Sequence, residues 1–159
     1  MLTLKKVDAQ NIHEILALSV KEEQKPFVAE NTESILEAYT TITAGKVALP
    51  FGIYEEEQPV GFVMFGYDGT GEEGEPAALA GNYAIWRFMI DRHWQGRGLG
   101  RKALEAALAF VRSKPCGEAD YCLLSYEPEN TVAKALYHSF GFREIGEMDG
   151  DEIVAALRL

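Results

Sequence analysis

The chain reads as a single α/β domain over residues 1–159, with a mixed, mostly antiparallel sheet of about seven strands flanked by about four helices and a central βαβ unit. Three observations predict this. The length, 159 residues, suits one compact domain with a sizeable core. Strand-like runs come in hairpin pairs near the start and at the end. Between the pairs, a short apolar run, an amphipathic helical pattern and a second short apolar run follow in the order of a crossover unit.

Leu2 to Val7 alternates and predicts a first strand, and Ile12, Ile15, Leu16 and Leu18 then recur at helical spacing. A second helix is expected from about Thr32 to Gly45, with Asn31 as its cap and Ile35, Leu36, Tyr39 and Ile42 as its apolar face. Leu49 to Tyr54 and Val60 to Tyr67 read as strands joined by the turn-like run Glu55-Glu56-Glu57-Gln58-Pro59. Asp68 to Gly81, rich in glycine and acid, is the longest predicted loop. Tyr83 to Ile90 has the aromatic and branched content of a buried central strand.

From Leu99 the apolar positions Leu99, Ala103, Leu104, Ala107, Leu108 and Val111 mark an amphipathic helix that stops near Pro115 and Gly117. Tyr121 to Tyr126 predicts another buried strand, and Thr131 to Phe140 a helix ended by Gly141. Phe142 to Met148 and Asp151 to Leu159 flank Asp149-Gly150, a strong hairpin signal.

Composition bounds the function. The net charge of -10 leaves no broad basic face, so nucleic acid is excluded as a partner. The N-terminal run has no signal-like apolar core and no stretch is long enough to span a bilayer, which gives the expectation of a cytoplasmic protein without a membrane partner. His13, His93 and His138 stand apart and predict no metal site; Cys116 and Cys122 read as reduced thiols.

The charge is also unevenly placed. Between Val47 and Trp86 there is no Lys or Arg, while Glu55, Glu56, Glu57, Asp68, Glu72, Glu73 and Glu75 accumulate. Between Arg87 and Lys102 the sign reverses: Arg87, Arg92, Arg97, Arg101 and Lys102 face only Asp91. The first region suits a cation and the second an anion, although Glu55 to Glu57 are better explained by a solvated turn between strands.

Inside the basic region, Gln95-Gly96-Arg97-Gly98-Leu99-Gly100 follows a strand and opens a helix. Glycines there permit conformations closed to other residues, and the free N–H groups of a helix start favour an anion such as a phosphate. Gly98-x-Gly100-x-x-Ala103 formally satisfies a dinucleotide fingerprint, but Asp91 to Gln95 separate it from its strand and Asp120 lies before the next one. A Walker loop is excluded because no Gly-Lys-Ser/Thr occurs.

About thirty residues further on comes Asn130-x-x-Ala133-x-x-x-Tyr137-x-x-Phe140-Gly141-Phe142. The two motifs, in this order and at this spacing, resemble the GNAT acetyltransferases, and Trp86 to Asp91 running into the glycine loop resembles their spermine/spermidine-acetylating branch. The resemblance implies a GNAT-like fold and acetyl-CoA as the cofactor. It places the pyrophosphate on Gln95, Gly96, Arg97, Gly98, Leu99, Gly100 and Arg101, and the pantetheine arm along Phe88, Met89 and Ile90. The N–H of Met89 or Ile90 would meet the thioester oxygen. Asn130 and Ala133 take cofactor-contact positions, for which capping and helix packing are the structural alternatives. Tyr137 takes the role of the acid that protonates the departing thiolate. The family forms no acyl-enzyme, so neither cysteine is a nucleophile.

The acceptor is expected to be a small-molecule amine, and the branch implies a polyamine. An alkylamine with a pKa near 10.4 is only about 0.1% neutral near pH 7.4, so a base or a water chain must take its proton. Glu22, Glu23 and Glu30, with the loop from Asp68 to Glu75, are the candidate countercharges. Trp86 stands where some polyamine acetyltransferases place a carboxylate, so the base is sought among those glutamates or in ordered water. Other amines, or an acyl-CoA-binding module without turnover, are the alternatives. The C-terminal hairpin offers an edge for a homodimer.

Overall fold

The computed structural model describes residues Met1 to Leu159 as seven strands and four α-helices. They are β1 (Leu2–Lys6), α1 (Ile12–Leu16), α2 (Asn31–Thr43), β2 (Val47–Glu55), β3 (Gln58–Tyr67), β4 (Tyr83–Ile90), α3 (Leu99–Arg112), β5 (Tyr121–Tyr126), α4 (Thr131–Ser139), β6 (Arg143–Asp149) and β7 (Glu152–Arg158). All seven strands join one sheet in the order β1-β2-β3-β4-β5-β7-β6. Every neighbouring pair is antiparallel except β4 and β5. Short 3₁₀ turns at Glu22–Phe27 and Ala77–Leu79 have no counterpart in the sequence reading. No helix is long and apolar enough to cross a membrane.

Apolar side chains leave the sheet on both faces, and the alternation along β3 shows why. Val63 and Phe65 enter a larger core of 22 residues with α3 and α4, while Phe62 and Met64 enter a smaller core of 8 residues with α1 and α2. A strand buried on both sides must be apolar throughout, as this one is from Val60 to Phe65 save for Gly61. A side chain at Gly61 would run into the carbonyl oxygen of Met89 on β4, so the close approach of those strands requires glycine there.

The second helix is where the fold departs from its sequence pattern. Asn31 does not cap α2; it lies within the helix, is buried, and donates from Nδ2 to the carbonyl oxygen of Ile15 at 2.9 Å. The buried positions of α2 are Asn31, Ser34, Ala38 and Thr41, a stripe of small and polar residues. Of the expected apolar face only Ile35 packs against the core; Leu36, Tyr39 and Ile42 are 62%, 68% and 54% exposed. The periodicity identified the helix correctly and its buried side wrongly. A short polar stripe lets the α2 backbone lie close to its neighbours, whereas the larger residues would hold it away.

Asp91, just past β4, fixes the start of the glycine-rich loop. Its side chain is buried and accepts from the backbone N–H of Ser19 at 2.8 Å, from the N–H of His93 at 3.1 Å and from His93 Nδ1 at 2.9 Å. Burial by itself would raise its pKa, but the Ser19 and His93 donors outweigh that and hold the carboxyl below its ordinary value. Its stabilising effect is therefore complete above the unfolded carboxylate pKa and is lost as pH falls through the depressed folded one.

Two predictions follow from this packing. Asp91→Ala should cost about 2 kcal/mol or more in urea unfolding at pH 7, because it strands buried donors, and its gap from the wild type should narrow in acid. Leu36→Gln, Tyr39→Gln and Ile42→Gln should each shift stability by no more than about 0.5 kcal/mol; losses of 2 kcal/mol would restore the expected buried face.

Candidate active site

The site begins where two parallel strands part. β4 and β5 pair only at Tyr83 with Cys122 and at Ala84 with Leu123, near the start of both strands. The closed end is tied by the buried hydroxyl of Tyr83, which accepts from the N–H groups of Cys116 at 2.9 Å and Gly117 at 3.0 Å and donates to the Gly117 carbonyl at 2.8 Å. Past Ala84 the β3–β4 register slips: Met64 faces Arg87 and Phe65 faces Ile85, so Trp86 is the extra residue of a bulge. A bulge bends its strand and sharpens its twist, which turns β4 away from β5.

The parting leaves backbone groups of β4 without a strand partner. Asp91 N–H donates to the Val60 carbonyl at 2.8 Å, and antiparallel alternation then turns Met89 toward β3 and the main-chain groups of Phe88 and Ile90 toward the opening. Of the two N–H groups considered for the thioester oxygen, that of Ile90 is the one directed into the gap.

A cleft of about 950 Å³ occupies this gap. Trp86, Phe88, Met89, Ile90, Gln95, Gly96, Gly98, Leu99, Gly100, Asn130, Ala133 and Tyr137 all line it, so most of the residues singled out along the sequence converge. Gly96 and Gly98 have φ of 77° and 75°, in the left-handed region that glycine alone enters freely. Gly98 precedes α3 with no side chain capping the helix and no acid in its first turn, so its leading N–H groups are left for an external acceptor. Gln95 braces the loop: its Nε2 donates to the Ile90 carbonyl at 2.9 Å and to Gln24 Oε1 at 2.8 Å.

The cationic side chains of this loop point elsewhere. Arg97 stacks over Trp94 at 4.8 Å, and Arg101 lies over Phe140 at 4.8 Å while donating to Ser139 Oγ at 3.0 Å. Neither lines the cleft, so their expected contact with a phosphate rests on the backbone and on longer-range charge. Asn130 caps α4, its Oδ1 accepting from the Ala133 N–H at 3.3 Å, and both residues also line the cleft.

Tyr137 spans the two diverging strands. Its ring meets Phe88 of β4 at 6.5 Å, Tyr126 of β5 at 5.9 Å and Phe142 at 6.0 Å between centroids. Only 8% of the residue is exposed, and burial, helped by the charges of Glu152 and Glu127, pushes its pKa above the ordinary phenol value. The hydroxyl therefore stays protonated at neutral pH, the form a proton donor needs.

The expected countercharges are redistributed. Glu22 is exposed and paired with Lys25 at 2.6 Å, and Glu23 is exposed outside the cleft, which this turn lines instead with Gln24, Lys25, Pro26, Phe27 and Val28. Glu30 lines a separate cavity of about 360 Å³ beside α1 and α2. From the acidic loop, Glu72, Glu73 and Glu75 do reach the cleft, with Glu75 already accepting from Thr70 and Gly71. Sequence reasoning missed Glu127, Asp149 and Glu152, which line the opposite wall. Their one legible signal was position: Glu127 follows the strand Tyr121–Tyr126, and Asp149 and Glu152 flank the hairpin turn. Arg87, also in the cleft, is neutralised by Glu37 at 2.8 Å.

The chemistry available is thus anion binding at one side, proton donation at the centre and cation binding at the other side. The thiols take no part: Cys122 is buried, its pKa pushed up to about 12, and burial raises that of Cys116 too. No group of three His, Cys, Asp or Glu side chains is placed to hold a metal ion.

Comparison with known proteins agrees with this geometry. The family model described as "Acetyltransferase (GNAT) family" matches residues 9–142. A probable spermine N(1)-acetyltransferase of Bacillus subtilis subsp. natto is 34% identical over 154 residues, covering 93% of this chain and 91% of the relative. A spermine/spermidine N(1)-acetyltransferase of Bacillus subtilis is 33% identical over the same shares. Among solved structures, an aminoglycoside acetyltransferase AAC(6')-Ib in complex with coenzyme A superposes with a TM-score of 0.79 at 17% identity, covering 99% of this chain and 95% of that one. The PaiA N-acetyltransferase of Thermoplasma acidophilum, also with coenzyme A, gives 0.65 at 15% identity over 100% and 99% of the two chains. The family match spans most of the chain and two relatives share a third of their residues over nine tenths of it, so this chain belongs to the GNAT family of acetyltransferases.

Proposed function

We propose that the protein transfers the acetyl group of acetyl-CoA to a primary amine of a polyamine such as spermidine or spermine, by direct attack in a ternary complex. The observation that carries this reading is the charge arrangement of the cleft around Tyr137. An uncapped helix start lies at one side and carboxylates without a Lys or Arg partner line the other. The relatives named as spermine acetyltransferases support the acceptor class.

The residues present fit coenzyme A. Gly96 and Gly98 have open space where a Cβ would stand, the α3 N–H groups are free, and the unpaired edge of β4 can accept a peptide-like arm. Gln95 to Arg101 would hold the pyrophosphate, with Arg97 and Arg101 adding charge from outside. Phe88 and Ile90 would pair with the arm while Met89, Asn130 and Ala133 shape its walls. Acetyl-CoA supplies the acetyl group as a thioester. Ile90 N–H is directed to favour negative charge on the acyl oxygen, and Tyr137 keeps a proton ready for the leaving sulfur.

The acidic wall would draw in the polycation and hold its unreacted ammonium groups, while Trp86 and Phe27 offer surface for its methylene segments. One observation favours a second acceptor class. Arg87 lines the cleft with its guanidinium on Glu37, and an acceptor bearing its own carboxylate would compete for that guanidinium.

A thiol-release assay with acetyl-CoA and a panel of spermine, spermidine, diamines, amino acids, aminoglycosides and peptides tests the proposal. Polyamines should give the highest kcat/KM, and added salt should raise their KM because exposed carboxylates contribute to capture. A preference for amino acids would select the Arg87 reading, and coenzyme A binding without turnover on any amine would indicate a binding module. Tyr137→Phe should lower kcat tenfold or more while the melting temperature changes little. An unchanged kcat would remove Tyr137 from the acid's role.

A further inference from the structure

Three carboxylates line the cleft where β5 ends and the β6–β7 hairpin turns. Asp149 of β6 pairs with Glu152 of β7. On the other side of β7, the β5 ladder ends with Tyr126 opposite Ile153, and Glu127 follows directly, near enough for its charge to act on Glu152. Neighbouring strand positions are only about 5 Å apart, and like charges directly opposed across strands destabilise a sheet. Nevertheless none of the three has a Lys or Arg in ion-pair contact, and Glu127 Oε2 is shut off from solvent without a hydrogen-bond partner. All three line the cleft that holds Tyr137. Such a row is costly in an empty fold and is matched by a cation entering the cleft.

Resting on the acetyl-transfer reading of this cleft, we propose that Glu152 is the base that takes the proton from the acceptor's ammonium, with Glu127 and Asp149 as the fixed negative charges on either side of it. Glu152 is the middle member of the row, and the groups facing it come from every neighbouring element. They are Glu127 after β5, Ser125 on β5 with Oγ donating at 3.4 Å, Asp149 on β6, Arg87 on β4 and Tyr137 on α4. Partial burial, then the charges of Glu127 and Asp149, raise its pKa; the Ser125 hydrogen bond and Arg87 oppose them without cancelling the rise. A carboxylate of raised pKa is a better proton acceptor than an ordinary one. Acid and base are thereby separated by environment: Tyr137 keeps its proton and Glu152 receives one.

The balance of the reaction is then complete. The ammonium gives one proton to Glu152 and becomes a neutral amine. Its nitrogen forms a bond to the acetyl carbon as the carbon–sulfur bond breaks, and Tyr137 gives its proton to the departing sulfur. The second proton lost from nitrogen restores the Tyr137 phenol, and Glu152 releases its proton to solvent. The sum is one amide, one thiol and one proton from one ammonium and one thioester.

The test uses Glu152→Gln, Glu127→Gln and Asp149→Asn in the full chain, with whichever amine of the panel gives the highest rate. Glu152→Gln should lower kcat about 100-fold near neutral pH, abolish the acid limb of kcat/KM, and regain rate as pH approaches the amine's own pKa. Glu127→Gln should keep the limb but move it to lower pH, since a like charge has gone, and should raise KM for a polycation.

A readout without substrate accompanies these. The Glu152 carboxyl carbon, assigned by its absence in Glu152→Gln, should titrate above the ordinary glutamate range in the free protein and return toward it in Glu127→Gln. Because the folded chain holds that proton more tightly than the unfolded one, Glu152 lowers stability as pH rises through the interval between the two pKa values. Glu152→Gln should accordingly melt no lower than the wild type at pH 8, which separates loss of the base from loss of the fold. An ordinary midpoint in the free protein overturns the proposal whether or not any amine is acetylated. So does a Glu152→Gln enzyme that keeps its acid limb and a rate within twofold. Acetylation of a different amine with the Glu152 effects intact would fail the polyamine reading alone.

Discussion

The parting of β4 and β5 is the constraint on which the rest of the structure depends. Two paired positions and the Tyr83 clamp hold the strands together at one end, and the Trp86 bulge turns them apart at the other. A parallel pair that opens after two residues exposes main-chain groups that a continuous sheet would have satisfied. Their exposure is tolerable because they face a cleft that water or a peptide-like ligand can enter. The same opening lies at an α3 start that no side chain caps, so the free N–H groups of the helix and the free edge of the strand meet in one place. Tyr137 closes the apex by packing on aromatic rings from both sides of the split.

Charge is sorted around that opening by covalent connection as much as by contact. The glycine turn follows β4 directly, so the positive end of α3 belongs to one wall. The hairpin β6–β7 is on the far side of β5, so Asp149 and Glu152 belong to the other, with Glu127 where the chain leaves β5. Arg87 would offset this acidity but is engaged by Glu37 of α2. The polar buried side of α2 thus has a function beyond packing, because the helix that carries Glu37 also lies close enough for Asn31 to bind the α1 backbone.

Legibility was uneven, for reasons that differ residue by residue. α3 was readable because its 3.6-residue periodicity maps directly onto burial, β3 because a strand covered on both faces is apolar throughout, and the C-terminal hairpin because Asp149-Gly150 marks its turn; the βαβ order gave the single parallel pair. α2 shows the limit of that method. Its apolar stripe of Leu36, Tyr39 and Ile42 is as regular as that of α3 but faces outward, since packing close to α1 and the sheet demanded small side chains. Glu22 and Glu23 have the charge a cationic acceptor calls for, yet the 3₁₀ turn leaves them in solvent and lines the cleft with Gln24, Lys25, Pro26 and Phe27 instead.

By itself the sequence determined the helices and strands, the glycine turn at the head of a helix and the tyrosine on the next one, because each is a local pattern with a local cause. Glycine permits the left-handed turn, missing caps leave N–H groups free, and spacing sets the face of a helix. Only the tertiary structure decided which carboxylates share a wall with Tyr137. Glu127 comes from a different stretch of chain than Asp149 and Glu152, which flank one hairpin turn, and the pairing of β5 with β7 brings it beside them. Register is a property of paired strands, so no single stretch could have disclosed it.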